Sequence, residues 1–184
     1  MSAVSIKGNM LQVGAEASLS DLLALPELPA ALQALLQQEP AAQPTALAYI
    51  ASAPGSARLA AAMLALDAEL EYADGRTQSY GNLLALRASG IPGSLTALRF
   101  SLLATLQYYE ADGVWLALAR WPSGRTRVAL GGWSAAPLLA LDGRDPSGIL
   151  EAAENTLMLA SNGAPEDEAR MQAVRQLAEQ ITLA

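Results

Sequence analysis

The sequence predicts an α+β protein, a larger mixed α/β part followed by a three-stranded antiparallel sheet and two C-terminal helices. Three observations carry this. Helical and alternating stretches come in separate runs instead of a strict strand–helix alternation. Apolar residues make up 52% of the 184, dominated by Ala and Leu, the composition of helices packed close together. Between residues 95 and 131, three strand-like runs are separated by Ala111-Asp112-Gly113 and Pro122-Ser123-Gly124, both hairpin-turn signatures.

In order, Met10 to Gly14 reads as a short strand. Ser18 opens a helix with Asp21 three residues on, a capping-box spacing; Leu19, Leu22 and Leu23 form its apolar face, and Pro26 ends it. A second helix runs from about Leu28 to Gln38, with Leu32, Leu35 and Leu36 as its buried stripe. Pro40 and Pro44 bracket a break, and Thr45 to Ser52 fits either a helix or a strand. Ala53-Pro54-Gly55-Ser56 is a turn from which Ser56 caps a helix reaching Leu66, with Leu59, Met63, Leu64 and Leu66 inward. Glu69 to Tyr72 and Arg76 to Tyr80 make a hairpin around Asp74-Gly75. Tyr80 to Arg87 is a short helix or helical turn, and Gly90-Ile91-Pro92-Gly93 a hinge. Two parts are therefore expected, 1–93 and 94–184, with the division there or shortly after Phe100.

In the second part Leu95 to Tyr109 alternates partially. Val114 to Trp121 alternates well, with Val114, Leu116 and Leu118 on one face and Trp115, Ala117, Ala119 and Trp121 on the other. Arg125 to Gly131 is the third strand. Asp145-Pro146 starts a helix with Ile149, Leu150, Ala153 and Leu157 inward. Glu166, Asp167 and Glu168 suit the first turn of the last helix, whose face is Val174, Leu177, Ala178 and Ile181.

Composition excludes several chemistries. With no Cys and no His there is no disulfide framework, thiolate nucleophile, Cys/His zinc site or Ser-His-Asp relay. A net charge of −7, with Lys7 the only lysine and the arginines scattered, argues against nucleic acid and anionic membrane surfaces. No apolar run approaches the roughly 20 residues of a spanning helix. Nor does the N-terminus read as a secretion signal, so a cytoplasmic location is expected.

Several segments resemble one family. Leu11 to Ala15 (LQVGA) with Ser18 to Leu23 (SLSDLL) looks like the opening of the larger flavin subdomain in the FAD-binding medium subunit of the molybdenum hydroxylases, the CO dehydrogenase and xanthine dehydrogenase group. Leu59 to Glu71 (LAAAMLALDAELE) is similar to that family's LPPALLALDAEVE. Arg127 to Gly132 (RVALGG), followed by Pro137, resembles its small C-terminal domain. The last helix stands where the family carries Tyr-Arg-Arg, of which only Arg170 is suggestive.

The resemblance also implies what is missing. The family's N-terminal subdomain, with its Ala-Gly-Gly-Thr-Asp pyrophosphate loop, is expected to be absent, since ten residues precede Leu11. Its second glycine motif, Gly-Thr-x-Gly-Gly-Asn, falls on Pro44 to Tyr49 when aligned without gaps back from Leu59. Thr45 is kept, but Leu47 and Ala48 replace the close-approach glycines, Tyr49 the Asn and Pro44 the first Gly. Where the family usually has an acidic residue before the helix, this chain has Arg58. Glycine there lets backbone amides come close to a ligand, and a leucine occupies that space.

The resemblance therefore implies a non-catalytic relative of a flavoprotein subunit, with no cofactor in the isolated chain. It would act by binding protein: itself, or another component such as molybdenum hydroxylase subunits. The alternative is an authentic electron-transfer subunit whose FAD site is completed by another polypeptide. Of the remaining features, Gly131-Gly132 reads as a strand end rather than a phosphate loop. Trp115, Trp121, Trp133, Tyr108 and Tyr109 read as one packed sheet face, and Glu69 and Glu71 as solvent-facing strand positions.

Overall fold

The structure, a computed structural model, describes residues 3–40, 45–52, 56–86, 93–134, 136–161 and 166–182. Strands β1 (Val4–Lys7), β2 (Met10–Gly14), β3 (Glu69–Tyr72), β4 (Thr77–Ser79) and β5 (Leu95–Ser101) form one antiparallel sheet in the order β1-β2-β5-β3-β4. Strands β6 (Thr105–Ala111), β7 (Val114–Arg120), β8 (Thr126–Gly131) and β9 (Leu138–Gly143) form a second, an antiparallel meander. Both parts are thus α+β.

Helices α1 (Leu19–Leu23), α2 (Ala30–Gln37), α3 (Ala46–Ala51), α4 (Ala57–Ala65) and α5 (Tyr80–Leu86) lie between the two sheets, and α6 (Ile149–Ala160) and α7 (Glu166–Thr182) cover the far face of the second. Ser18 and Asp21 form the full capping box of α1: the hydroxyl accepts from the Asp21 amide at 3.0 Å, and the carboxylate accepts from the Ser18 amide at 2.8 Å. The bonds that the carboxylate accepts from the Ser18 amide and hydroxyl hold the Asp21 carboxyl below the ordinary range.

The alternation of the strands decides the layers. In the first sheet, Leu11 and Val13 of β2 register with Phe100 and Leu98 of β5, and Leu70 of β3 with Leu98, so one face is apolar and points at the helices. In β7, Val114, Leu116 and Leu118 pack with Ile149, Ala153 and Leu157 of α6 and Val174, Leu177 and Ile181 of α7. Ala117 and Ala119, with Ala129 of β8, belong to the other core and face α4.

Helix α4 is the hub. Every residue from Leu59 to Leu66 is buried, because α2, α3 and α5 pack on one side of it and β7 and β8 on the other. Alanines at 60, 61, 62 and 65 are all buried, and small side chains let the helix pack closely against both the sheet and the neighbouring helices. Its four large side chains, Leu59, Met63, Leu64 and Leu66, each contribute about 1.5–3 kcal/mol by burial.

Several sequence expectations are corrected here. The meander has four strands, not three: Leu138 to Gly143 also pairs, in register with β8. Its run of leucines lacks the β-branched residues that mark a strand, and Pro137 immediately precedes it. β1, also unexpected, pairs with β2 through a turn at Gly8. Leu95 to Tyr109 is two strands, β5 and β6, in different sheets. β5 is the middle strand of the first sheet, and the chain passes to the second sheet at residues 102–104, close after Phe100, the second position expected for the division.

Residues 45–52, ambiguous in sequence, contain a helix. Leu150 is on the exposed side of α6. The aromatic residues do not share one face: Trp115, Trp121 and Tyr108 pack against the core around α4, whereas Trp133 and Tyr109 pack against the core under α6 and α7. Glu71 is not merely solvated, since it accepts from Arg99 at 2.5 Å. The hinge positions 90–92, together with Pro44 and Pro165, lie outside the described residues.

Gly131 and Gly132 end β8 as read. A Cβ on Gly131 would meet the Trp115 indole at 2.3 Å, and Gly132, at φ +123, lies against the backbone of Gly113 and Val114. These glycines serve close packing of strands and leave no cradle for phosphate.

Candidate functional site

Two places bear on function. The first is the segment aligned with a flavin loop. Thr45 is the N-cap of α3, its hydroxyl accepting from the Ala48 amide at 3.2 Å. The Ala46 amide donates to the Ala17 carbonyl at 2.7 Å and the Tyr49 amide to the Thr45 carbonyl at 3.0 Å. Leu47 is 2% exposed in the core. The other end of α3 is tied down by Tyr80, whose buried hydroxyl donates to the Ile50 carbonyl at 2.6 Å.

Tyr49 donates to Glu39 at 2.5 Å, and partial burial beside that carboxylate pushes its phenol up to about 12. Arg58, in the first turn of α4, leaves this region: it makes two hydrogen bonds to Glu110 on β6, at 2.8 and 3.0 Å, and lies 5.9 Å from the Trp115 ring centroid. The bond to Glu110 raises its pKa. A cation there opposes the helix dipole, so Glu110 offsets an unfavourable position.

Of the loop positions, Thr45, Leu47 and Ala48 line one cavity of about 270 Å³ with Ala15 and Leu95; Tyr49 and Arg58 are not on its wall. That volume falls just short of the roughly 300 Å³ at which ligand cavities begin. A pyrophosphate needs several free, convergent amides. The amides of Ala46, Ala48 and Tyr49 are already bonded within the protein, and Leu47 takes the space glycine would leave. These residues do not fit a dinucleotide.

The second place was not singled out in the sequence. At the end of α4 the chain makes a Schellman turn, with the Ala68 amide donating to the Met63 carbonyl at 3.0 Å and the Asp67 amide to the Leu64 carbonyl at 3.3 Å. The left-handed residue of this turn is Asp67, at φ +54, where glycine is usual. Its carboxylate takes hydrogen bonds or ion pairs from Arg125, at 2.8 Å, and from Arg127. Asp142, cross-strand from Arg127 on β9, accepts from Arg125 at 2.7 and 2.8 Å. These bonds pull the Asp142 carboxyl below its ordinary value, the Arg125 contact contributing most. Arg125 also lies 5.3 Å from the Trp121 ring.

The network adjoins a cavity of about 510 Å³ between α5 and the start of β9, walled by Leu64, Leu84, Ala85, Pro137 and Leu139. Two signals in the sequence mark it: an acid directly after a helix C-terminus, against the dipole, and arginines two apart at the start of a strand.

No family model matches the chain. No curated protein matches it significantly either. Among the described residues no group of three or more acids could hold a metal ion, and no helix is long and apolar enough to cross a membrane.

Proposed function

We propose that the chain is a non-catalytic relative of the FAD-binding subunit of the molybdenum hydroxylases. It is a cytoplasmic protein-binding or structural component that does not hold FAD by itself. The observation supporting this most directly is helix α3, which stands where the resemblance would put a glycine cradle, with Leu47 in the core and the amides of Ala46, Ala48 and Tyr49 bonded internally. The resemblance runs through LQVGA, LALDAELE and RVALGG, and each of these supports packing: β2 in the first sheet, α4 into β3, and β8 against Trp115.

The test is spectroscopic. The purified chain is expected to lack a flavin absorbance band and to leave the fluorescence of added FAD unquenched; a stoichiometric band would overturn the reading. Restoring both glycines, Leu47→Gly with Ala48→Gly, is expected to lower stability by several kcal/mol without conferring FAD binding, because it opens a cavity and weakens a helix. Light scattering on the same sample, alone and with candidate subunits, reports whether the partner is a second copy or another chain.

A further inference from the structure

We propose that strand β9 is an interface between two copies of this chain, its free edge pairing antiparallel with the same edge of the second copy. The inference rests on the protein-binding reading above and names the partner.

The two sheets have four edges, and three of them are blunted. β1 is four residues long and ends in Lys7. β4 is only Thr-Gln-Ser. β6 carries Gln107 and Glu110, the latter held by Arg58. Short length, polarity and charge of this kind keep an edge from pairing with another chain. β9 differs. Four of its six residues, Leu138 to Leu141, are apolar, none of the six is buried, and Leu138 and Leu139 are 39% and 40% exposed. Among the described residues it bonds to β8 alone, so its outward backbone groups have no backbone partner. Unpaired donors and acceptors beside exposed leucines are a template for one more strand.

Charge selects the occupant. With a net charge of −7, two copies repel unless they meet where charge cancels. At β9 it cancels. Asp142, the strand's single charged residue, pairs with Arg125 and Arg127, and Asp67 balances the second guanidinium. Arg144 and Asp145, just beyond the strand, are again one of each sign. A strongly acidic or basic segment would find no counter-charge there. A neutral apolar strand fits, and Leu138 to Leu141 is itself one. Paired about a two-fold axis, each copy's leucines lie beside the other's, and two four-stranded sheets become one. Ala140 has no partner on β8, so the strand bulges there. The bulge shortens the stretch that can pair, which makes the dimer reversible.

The experiment is sedimentation equilibrium of the full chain over a range of concentrations, with hydrogen exchange read by mass spectrometry on the same samples. A monomer–dimer equilibrium is expected, and peptides covering 138–143 should exchange more slowly as the dimer fills. Leu138→Lys puts a charge on the edge and is expected to weaken dimerisation at least about tenfold. Leu159→Lys, at a position of α6 that is 90% exposed, should leave it unchanged. If Leu138→Lys does not fold, the concentration dependence of exchange in the unaltered chain carries the test. A monomer up to about 1 mM, a dimer that survives Leu138→Lys at full strength, or a dimer in which 138–143 gains no protection would each overturn the inference. A flavin-free monomer would overturn this inference alone; a flavin band with a dimer protected at β9 would overturn only the reading beneath it.

Discussion

The guanidinium of Arg127, buried on β8, closes on the carboxylate of Asp67 at the left-handed residue that ends α4. The pair joins the helix between the sheets to the second sheet. Asp67 opposes two local preferences, since it is a non-glycine residue at positive φ and an acid at the negative end of a helix. Against these preferences stand its contacts to Arg125 and Arg127.

Asp67→Gly tests that balance. Glycine relieves a left-handed strain of about 1–2 kcal/mol. It also leaves Arg127 with only Asp142, at 3.6 Å, and breaking a buried pair from one side costs about 3–5 kcal/mol. A net loss of about 2 kcal/mol is expected in urea denaturation. A stabilised Asp67→Gly would show that the ion pair contributes little.

Gly131→Ala is expected to destabilise by about 1–3 kcal/mol, because the new Cβ would meet the Trp115 indole at 2.3 Å and force the ring off its seat. Near-ultraviolet circular dichroism should change with it. Gly143→Ala is the control, having nothing within 4 Å of its added Cβ and no positive φ. It should be close to neutral.

Tyr49 predicts a loss of stability in alkali. Its folded-state pKa, about 12, lies above the ordinary phenol value of about 10. The folded state therefore holds the proton more tightly than the unfolded one. The resulting stabilisation is complete below about pH 10 and is lost as pH rises towards 12. Tyr108 is raised as well, by burial and the Glu110 carboxylate, so tyrosinate absorbance should show more than one late-titrating group; Tyr49→Phe should remove one of them and lessen the alkaline loss of stability.

Asp142 predicts the opposite limb. Its folded-state pKa is depressed, chiefly by the hydrogen bonds from Arg125. The stabilisation is present above the ordinary aspartate value and is lost as pH falls through the lower folded-state value. Asp142→Asn should be less stable than the parent near neutrality, with the difference shrinking in acid. A constant difference across the acid range would mean that the carboxylate's charge plays no part.

Much of the local structure was legible in the residues. Ser18 and Asp21 specify a helix start through bonds spanning three residues, and the alternation of Val114 to Trp121 assigns each side chain to a face, whatever the rest of the chain does. Helix α3 was less so, because six residues of Ala, Leu, Tyr and Ile fit either period. Strand β9 was missed because leucines favour helices and only a neighbour, β8, makes them a strand.

By itself the sequence determined where helices begin, which strand faces are apolar, and that histidine and cysteine chemistry is excluded; each follows from a residue's own identity or from neighbours a few positions away. Only the tertiary structure decided that Leu95 to Tyr109 divides between two sheets, that Arg58 reaches Glu110, and that Asp67, Arg125, Arg127 and Asp142 form one neutral network beside a cavity. Asp67 and Asp142 are 75 positions apart in sequence, and no local pattern encodes an encounter that depends on how α4 is packed against the meander.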